Sequence, residues 1–211
     1  MASSSARTGA AGAYYAAALL AQHGWDASLT IGNTPRTDIV AQHHEHQMLI
    51  AVQCKATTGN QTFLLNKGCE SPSPPRRNEW FILVALRGAD TRPDFFIVPR
   101  NVAAAYIYVG HQAWLTVPAK SGKPHQPNTM RDVEQRAVKY YKERWDLLEQ
   151  PADAVPYWLP DWVFDWAPHT GLPPGHSGLV KPSDGVVSAQ DAAWAAGWVP
   201  PLPASTAARG V

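Results

Sequence analysis

The sequence predicts an α/β fold with a mixed central sheet flanked by helices. Residues 10–23 are rich in alanine and end at Gly24, which is typical of a helix and its stop signal. Residues 80–86 (WFILVAL) form a continuous apolar run, as expected of a strand that is buried on both faces. The whole order is a helix, three strands, a connection and two more strands, which predicts this class.

The N-terminal part contains one flexible segment and one helix. Residues 1–9 are small and polar, so we expect them to be frayed. The helix over residues 10–23 has a set of residues at helical spacing that would share one face. These residues are Tyr15, Ala18, Leu19 and Gln22.

A first strand and a hairpin come next. Residues 25–31 look like a strand, and residues 32–35 (GNTP) form a turn. Residues 37–42 and 48–56 are two strand-like segments on either side of the polar stretch 43–47 (HHEHQ). This arrangement predicts two antiparallel neighbours joined by a short loop.

The connection and the last core elements are less regular. Residues 57–67 are polar and predict a short helix or irregular chain, and residues 70–78 form a loop because they contain three prolines. A strand is expected at residues 94–98. Pro99 then opens a helix through Tyr108, since proline in the first turn loses no intrahelical hydrogen bond.

Residues 129–149 are predicted to be a long helix that closes a core of residues 10–150. Their apolar residues recur on one helical face: Met130, Val133, Ala137, Tyr140, Tyr141 and Trp145. After Pro151 the composition becomes rich in proline and tryptophan. Residues 151–211 are therefore expected to be a C-terminal appendage, with a short helix near residues 189–196 and a loose end from Pro200.

Composition excludes several classes of protein. The net charge is +1, from 18 Lys and Arg against 17 Asp and Glu, so charge alone does not hold this chain to nucleic acid. A protein of this charge that acts on nucleic acid needs its cations gathered on one face. Two cysteines make no disulfide framework, and no apolar stretch is long enough to span a bilayer. No secretory leader is recognisable, so we expect a soluble cytoplasmic protein.

The hairpin brings three polar side chains together. Asp38 lies near the start of its first strand, and Gln53 and Lys55 lie two apart on the second. Side chains at i and i+2 on a strand point to the same face, so Gln53 and Lys55 project together while Cys54 points the other way. Closing the hairpin places Asp38 on the neighbouring strand, near Gln53.

Such a set suits phosphodiester hydrolysis. The reaction needs a divalent ion that polarises the phosphate and lowers the pKa of a bound water. Mg²⁺ prefers oxygen ligands and keeps several waters, and Mn²⁺ is expected to substitute for it. The Asp38 carboxylate, the Gln53 side-chain oxygen and the Cys54 backbone carbonyl would supply those ligands. Lys55 would orient the attacking water or stabilise charge that develops on the phosphate.

The stretches 37–41 (TDIVA) and 51–56 (AVQCKA) resemble the PD-(D/E)XK nuclease superfamily, which includes many restriction endonucleases. Its usual pattern is an acid at the start of one strand and acid-x-lysine on the next, and this chain has a variant with glutamine. The resemblance covers roughly residues 9–110, and at most extends to residue 149. It implies a restriction endonuclease-like core, DNA as the substrate, and Asp38, Gln53 and Lys55 as catalytic residues.

One departure from the family pattern concerns the acids. Related nucleases often carry a glutamate early in the first helix, just after a glycine, and here Gly12 is followed by Ala13. Asp38 is then the only carboxylate of the motif. Either another acid replaces the missing one, with Glu70 and Glu79 the nearest candidates in sequence, or the site is weak or inactive.

Other polar residues have two readings each. Arg76 and Arg77 can bind phosphates or belong to a solvated loop, and His43 can contact DNA from the hairpin tip. The spacing of His43 and His46 allows a zinc site, but no matching Cys or His pair accompanies it, which favours a polar tip. The appendage has tryptophans that can stack on bases, although packing is the more ordinary role: Trp158, Trp162, Trp166, Trp194 and Trp198.

Three functions follow from these residues. The first is a Mg²⁺-dependent DNA endonuclease of the restriction or genome-defence type. It would act as a homodimer, because cutting both strands calls for two sites. The second is the same fold kept as a DNA-binding or assembly module without hydrolysis. The third is an unrelated α/β interaction protein whose C-terminal appendage docks a partner.

Overall fold

The computed structural model describes residues 4–31, 34–59, 62–119 and 121–182, which fold into three α-helices, seven strands and four short 3-10 helices. No helix within these ranges is long and apolar enough to cross a membrane. The α-helices are α1 (Ser4–Gln22), α2 (Arg100–Thr116) and α3 (Asp161–Thr170). The strands are β1 (Trp25–Leu29), β2 (Ile39–His43), β3 (Leu49–Thr58), β4 (Thr62–Asn66), β5 (Glu79–Leu86), β6 (Asp94–Pro99) and β7 (Met130–Glu134).

Five of these strands form the central sheet, in the order β1-β2-β3-β5-β6. The pairs β1–β2, β2–β3 and β5–β6 are antiparallel, and β3 and β5 are parallel. The parallel pair is possible because the chain between β3 and β5 is long enough to cross over. The predicted class, an α/β fold with a mixed central sheet flanked by helices, is confirmed.

The predicted hairpin of β2 and β3 forms, and its register opposes Ile39 to Val52. Alternation of burial along both strands fixes that register, because a slip of one residue would turn the apolar side chains to the wrong face. The register brings Asp38, the residue before β2, level with the part of β3 that contains Gln53.

Helix α1 packs on one face of the sheet through small residues. A Cβ atom on Gly12 would lie 2.5 Å from the Cβ of Ala56, so only glycine allows the helix to approach β3 this closely. The buried residues of the helix are Gly12, Ala16 and Leu20, while Tyr15 is exposed. The helix also begins at Ser4 rather than at residue 10.

Helix α2 lies on the opposite face of the sheet. Its first residue, Arg100, stacks over the Phe81 ring of β5, with 4.5 Å between the guanidinium carbon and the ring centroid. Because side chains alternate along a strand, Gln53 and Lys55 share this face, and Cys54 faces the side of α1. The candidate site therefore lies on the α2 side of the sheet.

The long helix predicted over residues 129–149 is wrong. The chain there forms β7, which pairs with β4 in a separate two-stranded sheet, and then two 3-10 helices at Gln135–Tyr141 and Trp145–Glu149. Val133 opposes Phe63 across this small sheet. Spacings of four between Val133, Ala137 and Tyr141 imitate a helix, but pairing with a distant strand overrides the local pattern.

The small sheet also corrects the prediction for residues 57–67. That segment contains the end of β3 and the whole of β4, rather than a short helix or irregular chain. The 3-10 helix Lys67–Glu70 follows directly. Phe63 and Leu65 are buried, so the segment has the alternation of a strand, with Thr62, Leu64 and Asn66 on its outer face.

The first part of the predicted appendage packs into the common core. Trp158 and Trp166 are buried, and Tyr141 ties this part down because its hydroxyl donates to Pro156 O at 2.7 Å and accepts from Trp158 N at 2.9 Å. Helix α3 packs on α2. Trp194, Trp198, the helix near residues 189–196 and the loose end from Pro200 lie outside the described residues.

Candidate active site

Asp38 lies immediately before β2 and completes the edge of the hairpin. Its backbone N–H donates to Val52 O at 2.8 Å, and its side-chain Oδ2 accepts from the backbone N–H of Cys54 at 2.7 Å. The carboxylate thus takes the position that a backbone carbonyl would occupy if β2 were longer. A hydrogen bond from N–H to an ionised carboxylate is short and strong, so it fixes the side chain.

The backbone of Cys54 faces Asp38 as well. In an antiparallel pair the N–H and C=O of one residue point to the same side of the strand, so the Cys54 carbonyl points toward the side of Asp38. The Cys54 thiol is buried beneath α1. Burial, followed by the nearby Asp38 carboxylate, raises its pKa, so the thiol stays protonated and takes no part as a nucleophile.

The side chain of Gln53 is held by a hydrogen bond from a buried residue. Its Oε1 accepts a hydrogen bond from Arg100 Nη2 at 2.7 Å. The thiol of Cys69, in the 3-10 helix after β4, lies 4.0 Å from the same oxygen. The oxygen that the sequence assigned to a metal ion is therefore already engaged by a guanidinium.

Arg100 is buried completely and belongs to a cluster of charges under the site. Its Nε lies 2.9 Å from Glu79 Oε2, and Arg36 Nη2 lies 2.7 Å from the same oxygen. Burial, and then the charge of Arg36, lowers the pKa of Arg100 to about 10, so the guanidinium remains charged at neutral pH.

The buried guanidinium is only partly satisfied. Its Nη2 also donates to Arg36 O at 3.2 Å, but its Nη1 has no hydrogen-bond partner among the described residues. Its Nε is close to Glu79, yet the alignment is too poor for a hydrogen bond, so this contact is an ion pair only. Incompletely paired buried groups are rare in folded proteins and call for an explanation.

Lys55 projects from the same face of β3 as Gln53. Its side chain is half-buried, and it makes no ion pair or hydrogen bond with the described residues. Its charge and that of Asp38 both act on the Cys54 thiol, so the two groups flank the same residue. An uncommitted ammonium beside an oriented carboxylate can serve a bound anion.

Further cations line the mouth of the site. Arg36 is about one third exposed and also donates to Pro72 O at 2.9 Å. Arg77 is exposed, and its Nη1 lies 3.9 Å from Glu79 Oε1; Arg76 beside it is exposed as well. Three guanidinium groups, those of Arg36, Arg77 and Arg100, are therefore gathered around Glu79.

Neither candidate for the missing acid is available. Glu70 is buried and ion-paired with Arg131, and Glu79 is occupied by Arg36 and Arg100. Helix α1 contains no acidic residue. Among the described residues, no three His, Cys, Asp or Glu side chains come together in a group that could hold a metal ion.

The donors that remain fit one kind of magnesium site. Mg²⁺ is often held by one or two carboxylates together with water and substrate phosphates, rather than by a closed protein cage. Asp38 Oδ1, which has no partner among the described residues, and the Cys54 carbonyl match that pattern. The residues therefore fit an ion that the substrate helps to bind.

His43 is far from this arrangement, at the opposite end of β2. It is buried, its ring packs edge-on against Trp25, and its Nδ1 lies 3.3 Å from the backbone nitrogens of Glu45 and His46. This packing organises the hairpin loop and does not support direct contact of His43 with DNA.

Sequence reasoning missed Arg100 and Arg36. Arg100 directly follows the apolar strand β6, and Arg36 stands two residues before Asp38. A charged residue at the end of an apolar strand was the available signal for Arg100. Nothing in the sequence indicated that its partners would be Gln53 and Glu79.

Comparisons with known proteins bear on the fold. No protein-family model matches the sequence, and no curated protein matches it. Among solved structures, the chain is similar to a Holliday junction resolvase from Archaeoglobus fulgidus, with 13% identity and a TM-score of 0.44 over 67% of this chain and 96% of that chain. It is also similar to a bacterial homing endonuclease, with 16% identity and a TM-score of 0.41 over 72% of this chain and 96% of that one. These are similarities of fold, at identities too low to assign the chain to a family.

Proposed function

We propose that this chain is a Mg²⁺-dependent nuclease that hydrolyses phosphodiester bonds of DNA, with Asp38, Gln53 and Lys55 at its active site. One observation carries the proposal. The backbone N–H of Cys54 orients the Asp38 carboxylate at 2.7 Å. Cys54 stands between Gln53 and Lys55, whose polar side chains share one face of β3.

The residues have separate tasks in this proposal. Asp38 Oδ1 and the Cys54 carbonyl would hold the ion, which supplies the polarisation of the phosphate and the activation of water. Lys55 faces the phosphate and stabilises the negative charge that develops on it. Arg100 and Arg36 add positive charge behind Gln53, where it acts on a phosphate with little screening by solvent.

DNA binding is assigned to the cations at the mouth of the site. Arg76 and Arg77 stand on the exposed loop that leads into β5, next to Glu79. Guanidinium groups bind phosphates with two parallel hydrogen bonds, which fixes the position of the backbone without reading sequence. We also propose a homodimer, so that two sites cut the two strands, and a role in restriction or genome defence.

A plasmid-cutting assay tests the activity. The wild-type chain is expected to convert supercoiled plasmid to open and linear forms in Mg²⁺ and to be inactive in EDTA. Asp38→Asn, which keeps an oxygen for the Cys54 N–H, and Lys55→Ala are each expected to lower the rate by at least about 100-fold. Asp26→Asn is the matched control, because Asp26 is an exposed acid on β1. Equal cutting by Asp38→Asn and the control would reject the proposal.

A second candidate is a DNA-binding module without hydrolysis. The observation that favours it is the pairing of Glu70 and Glu79 with arginines, which leaves Asp38 as the one acid of the motif. It predicts retention of duplex DNA in a gel-shift assay, with no cutting in Mg²⁺ or Mn²⁺. Cutting that depends on Asp38 would exclude it.

A further inference from the structure

The side-chain amide of Gln53 has one fixed orientation. The two ends of an amide cannot be told apart by shape, so the hydrogen-bond partners must decide which end is oxygen. A guanidinium only donates hydrogen bonds, and Arg100 Nη2 lies 2.7 Å from the Gln53 amide. The end that faces Arg100 is therefore Oε1, and the NH₂ group occupies the other corner of the amide.

The NH₂ end of Gln53 is open. It has no hydrogen-bond partner among the described residues, and it is not one of their buried unpaired atoms, so it faces accessible space. The same face of β3 presents Lys55, and Asp38 lies across the strand pair. An amide N–H and an ammonium thus stand two residues apart on one face of β3, as two donors for an anion.

Resting on the function proposed above, we propose that Gln53 binds a non-bridging oxygen of the DNA phosphate and does not ligate the metal ion. Arg100 is the positioning residue that turns the amide. Its full positive charge stands next to Oε1 and opposes a divalent cation there, whereas it favours a phosphate at the NH₂ end. The glutamine of the motif is then a phosphate donor set by a buried arginine 47 residues away in the chain.

The key variant is Gln53→Met, which keeps the length of the side chain but has no donor. Two quantities are measured on the full chain: affinity for a short DNA duplex in EDTA, by fluorescence anisotropy, and affinity for Mn²⁺ without DNA, by electron paramagnetic resonance. We expect DNA affinity to fall about tenfold, as for loss of one hydrogen bond to a charged group. Affinity for Mn²⁺ is expected to stay unchanged.

Gln42→Met is the matched control, because Gln42 is exposed on β2 and lies away from the site. It should change neither affinity. If Gln53→Met weakens Mn²⁺ binding, or leaves DNA affinity unchanged, the inference is overturned. Cutting by the wild-type chain is scored separately, so an inactive protein that still shows the donor effect would reject the proposed nuclease and leave the role of Gln53 standing.

A measurement on the unaltered chain guards against a variant that does not fold. In nitrogen-15 NMR spectra, the Gln53 side-chain NH₂ signals should shift when duplex DNA is added in EDTA. No shift would overturn the inference.

The positioning role of Arg100 is tested by a double-mutant cycle. In an Arg100→Met background no donor holds Oε1 and the amide is free to turn, so Gln53→Met is expected to cost less than tenfold in DNA affinity. Equal cost in both backgrounds would show that Arg100 does not orient Gln53.

Discussion

Two clusters of ion pairs lie at opposite ends of β5, and they differ in how completely their charges are matched. The site cluster consists of Arg36, Arg77, Glu79 and Arg100 at the start of the strand. The second cluster lies at the connection between β5 and β6 and is called the hairpin cluster here. It consists of Arg87, Arg92, Asp94, Lys142 and Glu143.

The hairpin cluster is exposed or half-exposed, and its partners satisfy one another. Asp94 accepts from Arg87 and lies 2.9 Å from Lys142 Nζ. Glu143 accepts from Arg92 at 2.8 Å, and its Oε1 accepts from the backbone N–H of Phe95 at 3.1 Å. These contacts attach the chain that follows β7 to the edge of β6, so their role is structural.

The site cluster is different in both respects. It sets three guanidinium groups against one carboxylate, and its central member, Arg100, is buried with Nη1 unpaired among the described residues. Burial makes each charge costly, so an excess of one sign would be disfavoured if only stability mattered. The hairpin cluster, with three cations against two carboxylates, holds the fold together, whereas the larger excess of positive charge in the site cluster supports the phosphate-binding role proposed above.

The largest expected difference is in the free energy of unfolding that is lost when one arginine is removed from each cluster. Arg100→Met leaves Glu79 buried with Arg36 as its close partner and is expected to lower the free energy of unfolding by about 3 kcal/mol. Arg87→Met breaks an exposed pair and is expected to cost under about 1 kcal/mol. Urea denaturation followed by circular dichroism measures both. Similar costs would mean that burial does not distinguish the two clusters.

A smaller effect is the stability that the hairpin cluster loses at acid pH. The pKa of Asp94 is lowered by hydrogen bonds from Arg87 and Lys142, which outweigh a desolvation effect of the opposite sign, and that of Glu143 is lowered in the same way by Arg92. A carboxylate with a lowered pKa stabilises the fold above its unfolded pKa of about 4, and this contribution is lost as the pH falls below that value. The double variant Asp94→Asn, Glu143→Gln should therefore lose less stability than the wild type when the pH falls from about 6 to about 3.

Thermal unfolding at a series of pH values would measure that difference. Identical acid profiles for the double variant and the wild type would contradict the assignment of these contacts to the hairpin cluster.

The smallest effect is that of salt. At about 1 M NaCl the screening length is near 3 Å, so exposed pairs lose most of their interaction while buried charges keep theirs. The cost of Arg87→Met should disappear in salt, and the cost of Arg100→Met should persist. Repeating the urea experiment with added NaCl gives the answer, and a salt-sensitive Arg100→Met would show that solvent reaches the site cluster.

The hairpin and the buried strand were predictable because their signals are local. Alternation along β2 and β3 and a short polar loop between them determine which residues oppose one another, so Asp38 comes to lie beside the Cys54 backbone without any long-range contact. The apolar run at β5 requires burial on both faces wherever it lies.

The segment after residue 129 was not predictable in this way. Val133 recurs at helical spacing with Ala137, yet it pairs as a strand residue with Phe63, far away in sequence. The local propensities of this segment for helix and for strand differ little, so pairing with β4 decides which of the two it forms.

The sequence by itself determined the hairpin of β2 and β3, the buried strand β5 and the shared face of Gln53 and Lys55, because each depends on residues close together in the chain. Only the tertiary structure decided which end of the Gln53 amide is offered to a ligand, and that both nearby glutamates are already paired. Arg100 and Glu79 reach Gln53 through the packing of α2 and β5, and no local pattern encodes which buried charges will meet.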